Sequence, residues 1–224
     1  MVKLRLMISS LCIASIGIAG CSSPLMQPDE YSGFLSDYSQ LKETHSPSGA
    51  DVLRWVDRTQ NLSRYTSVYI EPVQLFPKPE ATAQIPESTL QGITQYYQQA
   101  LKRELGKSLP LANGPGPGVI VVRAAITAVS RHTKSLKPYE YIPVALVAAA
   151  VSTGAGIRDQ DTTLGTEAQF IDGDSGKVIA EVVRKGTGKP LENDTQVMKA
   201  DDVKGVMDGW ASDMHQSYVR FEAQ

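Results

Sequence analysis

Several short motifs hold residue types that could do chemistry. Gly173-Asp174-Ser175-Gly176 places a serine after an aspartate in a glycine-flanked segment, where a nucleophile could sit. His132 and Asp159 or Asp161 precede it in an order a Ser–His–Asp hydrolase could use. Against that, Lys177 stands where such segments continue with glycine, and no Ala-Ala-His-Cys segment surrounds His132. The alternation on either side makes the four residues a tight hairpin turn instead. Asp172 to Gly176 also begins like a calcium loop, but Gly176 and Val183 occupy the fifth and twelfth places, where oxygen ligands are needed. Gly186-Thr187-Gly188-Lys189-Pro190 has the look of a phosphate loop. It has Val183 in place of the upstream glycine and Pro190 in place of a hydroxyl. His45, His132 and His215 fall on a loop, a strand end and a helix, without metal-ligand spacing, so neither a metal nor another cofactor is expected.

Cys21 is the stronger candidate. Lys3 and Arg5 open the chain with no acid nearby, Leu6 to Ile18 is an apolar run, and Ile18-Ala19-Gly20 places small residues before the thiol. A basic start, a short apolar core and small residues make a secretory signal; the core is too short to span a bilayer as a stop-transfer helix. The cysteine after Ala19-Gly20 resembles the lipobox of bacterial lipoproteins. That resemblance implies cleavage between Gly20 and Cys21, with lipid (palmitate among it) on Cys21. Cys12 leaves with the signal, so no disulfide can form within the mature chain. By resemblance to enterobacterial sorting, Ser22 in place of aspartate implies the outer membrane, with the body facing the periplasm.

The elements that follow read coarsely. Residues 1–20 are the signal peptide, 21–30 a lipidated tether, and 31–224 a single periplasmic α+β domain. Thr66 onward, with Val68 and Ile70, predicts a strand that ends or lies at an edge by Pro72. Glu87 to Leu105 predicts a helix with Leu90, Ile93, Tyr97, Leu101 and Leu105 on one face and Gly106 ending it. Val119 to Val129 is apolar on both faces, as a central covered strand is. Thr163–Asp172 and Lys177–Gly188 predict a hairpin around the Gly173–Gly176 turn. Lys199 to Phe221 predicts a second helix, with Val203, Met207, Trp210, Met214, Tyr218 and Phe221 toward the core. The sum is an antiparallel or mixed sheet of about four strands packed by two main helices, in the order βαβββα.

Two stretches fit less readily. Tyr141 to Ile157 carries no charge and many small residues. It reads as a buried core element, as a surface for self-association through Tyr141, Ile142, Val144, Leu146, Val147 and Val151, or as an element dipping into the membrane or a pore. Near the N-terminus, Tyr31, Phe34, Tyr38 and Trp55 either pack back on the domain or bind something, and packing is the favoured reading. Phe34, Leu35, Tyr38 and Leu41 could cover one side of a short turn or helix.

Ser32-Gly33-Phe34-Leu35, Asp37-Tyr38-Ser39, Leu41 and the run Tyr65 to Val73 resemble a family of Gram-negative outer-membrane lipoproteins of unknown function. The likeness runs from about Tyr31 to the C-terminus. More distantly, the element order is similar to the amino-terminal domain of the TolB translocation protein and to the curli-secretion lipoprotein, which are binding and assembly modules. The resemblance supplies no catalytic residues.

Composition narrows the partners. Lys and Arg number 22 against 24 Asp and Glu, which argues against a nucleic-acid surface. The expected function is a lipid-anchored envelope module that meets an envelope protein or another copy of itself. The alternatives are an envelope-acting hydrolase with perturbed acids or His132 in a cleft, and a carrier of a small apolar ligand.

Overall fold

The computed structural model describes residues 25–133 and 160–223. Gly20 and Cys21 lie outside the described residues, as does the whole of 134–159 with Tyr141, Ile142, Val144, Leu146, Val147, Val151 and Asp159.

The strands are β1 (Lys42–His45), β2 (Asp51–Val56), β3 (Ser67–Ile70), β4 (Gln74–Leu75), β5 (Val119–Thr133), β6 (Gln160–Asp172) and β7 (Val178–Thr187). The helices are α1 (Glu87–Leu105) and α2 (Lys204–Glu222). All the strands join one sheet in the order β1-β2-β7-β6-β5-β3, with β4 also beside β5. β3 and β4 run parallel to β5, and the remaining pairs are antiparallel.

The α+β class and the two helices are as expected, but a seven-stranded sheet replaces the expected sheet of about four. The missed strands have physical reasons. β1 is an exposed edge of Lys42, Glu43, Thr44 and His45, and edge strands carry charge rather than alternation. β2 sets apolar residues on both of its faces, so Val52, Leu53, Trp55 and Val56 show no clean period of two. β3 ends at Ile70, before Pro72, and lies at the other end of the sheet.

Both helices cover one face. α1 buries Leu90, Ile93, Tyr97, Leu101 and Leu105 against Val68, Ile120, Val122 and Ile126. Each such side chain contributes roughly 1.5–3 kcal/mol when fully buried. α2 adds Met207, Trp210 and Met214, and Trp210 meets Tyr97 edge-on with centroids 6.0 Å apart. Phe221 departs from its expected place in the core: at the end of α2 it lies under the guanidiniums of Arg54 and Arg58.

The opposite face is covered by residues 25–41. This strap forms no α-helix, only a 3-10 turn at Pro28–Glu30. Gly33 sits at φ +83°, and the Asp37 carboxylate accepts from the Ser39 amide and hydroxyl. Local bonds of that kind compete with helix formation. Met26 and Leu35 are buried with Val183, and Tyr31, Phe34, Tyr38, Leu41 and Leu53 pack around them. Packing is therefore the fate of Tyr31, Phe34 and Tyr38. Within the stretch expected as tether, Met26 is buried beside Leu35 and Val183, while Gln27, Pro28 and Asp29 are exposed.

Candidate functional site

The strap is held by one carboxylate. Glu167, in the middle of β6, is wholly buried. One of its oxygens accepts the Ser32 amide at 3.0 Å, and the other accepts the Tyr38 hydroxyl at 2.6 Å. The Tyr38 oxygen in turn accepts the amides of Gly33 at 2.9 Å and Leu35 at 3.3 Å. Tyr31 stacks on Tyr38 with centroids 4.3 Å apart. Burial, the bond to Glu167 and that residue's charge push the Tyr38 phenol up to about 12. Lys185 adds an ion pair to Glu30 at 3.0 Å, both side chains nearly buried. Gly165 lets the strap approach, because a Cβ there would lie 2.5 Å from the Met26 methyl.

Between this strap and the β2–β7 side of the sheet lies an open groove of about 590 Å³. Ser36, Asp37 and Gln40 form the strap wall; Trp55, Asp57 and Thr59 come from β2 and its exit, and Lys177, Val178 and Glu181 from the start of β7. Trp55 and Glu181 are paired across the two strands. Lys177 reaches Asp57 at 2.7 Å, and Thr59 and Gln60 donate to the same carboxylate. These bonds hold Asp57 well below the usual carboxylate range. Glu181 moves the other way: burial raises it and the charges of Asp37 and Glu167 add to that, against one bond from the Gln169 amide. Asp37 is lowered by the Ser39 amide and hydroxyl. The groove thus joins an indole to three carboxylates and one ammonium, a surface that favours a cationic group on the ring.

The motifs weighed on sequence do not converge. Asp172 is a turn-former: its carboxylate accepts the amides of Asp174 and Ser175 and the Ser175 hydroxyl, and Arg64 and Tyr65 also bind it. His132 stands opposite Asp161 in the β5–β6 register, whereas Ser175 follows the far end of β6. Eleven strand steps separate Asp161 from Asp172, on the order of 36 Å, so these residues form no triad. His45 pairs with Asp51 at 2.9 Å, and His215 meets the Ser108 hydroxyl at 2.9 Å. Among the described residues no group of three His, Cys, Asp or Glu could hold a metal ion, and no helix is long and apolar enough to cross a membrane. Sequence reasoning missed Glu167 and the groove acids; the only signal was the pairing of Ser32 with Tyr38 in one short motif.

A family model described as a protein of unknown function (DUF3313) matches residues 30–214. The chain is 38% identical over 206 residues, 92% of each sequence, to the uncharacterized lipoprotein YdcL of Escherichia coli. Among solved structures it is similar to a PelC dodecamer from Paraburkholderia phytofirmans, with a TM-score of 0.37 and 12% identity, covering 77% of this chain and 96% of that one. It is also similar to a DUF4136 family protein from Bacteroides thetaiotaomicron, with a TM-score of 0.32 and 10% identity over 76% and 96%.

Proposed function

The chain belongs to the DUF3313 family of proteins of unknown function, and on that premise we propose that it is a lipid-anchored envelope module whose groove holds a basic segment of a partner protein. Its relative's name supports a lipoprotein, and the residues around Cys21 support lipid attachment there. Ser22 supports the outer membrane. Since Met26 is already buried in the body, the five steps from Cys21 span at most roughly 17 Å, which keeps the domain close to the bilayer. The observation that carries the partner reading is Trp55 in a groove with Asp37, Asp57 and Glu181, where Lys177 is the lining cation.

Photocrosslinking in living cells tests it, with probes at Gln40 and Thr59. The expected result is an adduct with one envelope protein or a second copy, lost when Cys21→Ser abolishes palmitate labelling. Trp55→Ala should cut the yield by roughly tenfold or more, as loss of a central aromatic anchor does. Silence from folded, lipidated probes would overturn the groove, and adducts arising only from probes within 141–157 would move the contact to that segment.

One observation favours a second reading. Glu181 is raised and Asp37 lowered within one groove, the separation that an acid and a base of a glycoside hydrolase show. If the groove cuts envelope glycans, purified protein should release reducing ends from peptidoglycan and Glu181→Gln should abolish the release. No turnover by the wild-type chain removes this reading.

A further inference from the structure

β2 carries a second cluster on its other face, where Arg54 alternates with Trp55. The Arg54 and Arg58 guanidinium carbons lie 5.2 and 6.0 Å from the centroid of Phe221, at the C-terminal end of α2. Arg54 donates one long bond, 3.3 Å, to the Ser217 hydroxyl. Arg220 sits one residue before Phe221, exposed. Buried Arg184 stands close by, its charge met by Asp213 at 3.0 Å.

The remaining described arginines are all engaged. Arg64 meets Asp172, Arg103 meets Asp208, Arg123 meets Glu71, and Arg131 binds the carbonyl oxygens of Asp194 and Gln196. Arg54, Arg58 and Arg220 make no ion pair among the described residues. Burial first, and then the charges of Arg184, Arg58 and Arg220, lower the Arg54 guanidinium; Asp213 offsets this only in part. A helix C-terminus attracts a cation. It does not account for two guanidiniums over one ring with the charge of Arg220, the residue before that ring, bearing on Arg54 as well. Guanidinium forks match phosphate oxygens in pairs, and a group of charge near −2 would neutralise most of the surplus.

We propose that Arg54, Arg58 and Arg220 form an anion site beside Phe221 that binds a dianionic phosphate group. The site is independent of the groove and can stand if that reading fails.

The test is calorimetric titration of the full chain, in a neutral detergent at low salt, with inorganic pyrophosphate as probe. Saturable binding is expected, and each of Arg58→Gln and Arg220→Gln should weaken it roughly tenfold, as loss of one charge-assisted hydrogen bond does. Both side chains are exposed, so neither change threatens the fold; Lys102→Gln, on α1, should leave binding unchanged. Vesicles separate the sources of phosphate. If the Cys21→Ser chain floats with vesicles containing phosphatidic acid, a phosphomonoester lipid, but not with pure phosphatidylcholine, and the same variants abolish this, the group is a lipid headgroup. Loss confined to pyrophosphate makes it a soluble phosphorylated ligand. Absence of saturable binding, or equal binding by the arginine variants, overturns the site.

Discussion

Asp213→Ala should destabilise the domain by about 3–5 kcal/mol, the cost of stranding a buried charge. Asp213 is 3% exposed and Arg184 6%, between α2 and β7. Their 3.0 Å contact makes an ion pair, while the Arg184 Nε and Nη1 atoms have no hydrogen-bond acceptor. The Asp213 oxygens are spent on the amide and hydroxyl of Ser48, both at 2.9 Å, which tie the β1–β2 turn down to α2. Removing the carboxylate therefore leaves a buried guanidinium without its counter-ion and releases a hairpin as well. For a domain of this size the melting temperature should fall by roughly 10 °C. Denaturant unfolding of Asp213→Ala, Arg184→Met and the double variant closes the cycle. The double variant should recover most of the loss, because a buried pair replaced by apolar groups is often neutral. A change in Asp213→Ala of less than about 1 kcal/mol, typical of a surface pair, would sink the argument.

The legible parts of this chain are those where period and burial agree. α1 shows its core face as a repeat of three and four, and it runs from Glu87 to Leu105, as the sequence predicts. The Gly173–Gly176 hairpin is legible because turn chemistry is local: Gly176 sits at φ +71° and Asp172 gathers the amides that follow it. The strap is different. Ser32 and Tyr38 stand out as a motif, but their common acceptor lies 129 residues from Tyr38 in a strand where a lone glutamate reads as solvated. Trp55 shows no partner in sequence because the groove wall opposite is made of that same strap. Phe221 follows the helical repeat correctly and still misses the core, since at the end of α2 its ring meets the guanidiniums of Arg54 on β2 and Arg58 just beyond it rather than an apolar layer. Periodicity reports which way a side chain points, not how far the layer beneath it extends.

Tyr38→Phe should free the strap while leaving the helix–sheet body folded. The phenol oxygen is a hub: it donates to Glu167 and accepts from the Gly33 and Leu35 amides. Deleting it costs a hydrogen bond to a buried carboxylate and leaves two amides short of an acceptor, together about 3 kcal/mol. That is more than a hundredfold in the docking equilibrium. Amide exchange at Gly33 and Leu35 should accelerate accordingly, with α1 and β5 protected as before. The wild-type strap should also respond to alkali. Because docking raises the Tyr38 pKa from the ordinary value of 10.0 to about 12, its contribution is complete below pH 10 and is lost as the pH climbs to about 12. Tyr38→Phe should show no such step, so an unchanged alkaline transition in the variant would refute the assignment. Release of the strap has a consequence at each end. Ser36, Asp37 and Gln40 leave with it, which dismantles one wall of the groove, and the link to Cys21 lengthens from residues 22–25 to residues 22–41. A chain lipidated at Cys21 would then lose its partner contact and its fixed height above the membrane together, so crosslinks from Thr59 should disappear in Tyr38→Phe even though the probe is on β2's exit and not on the strap.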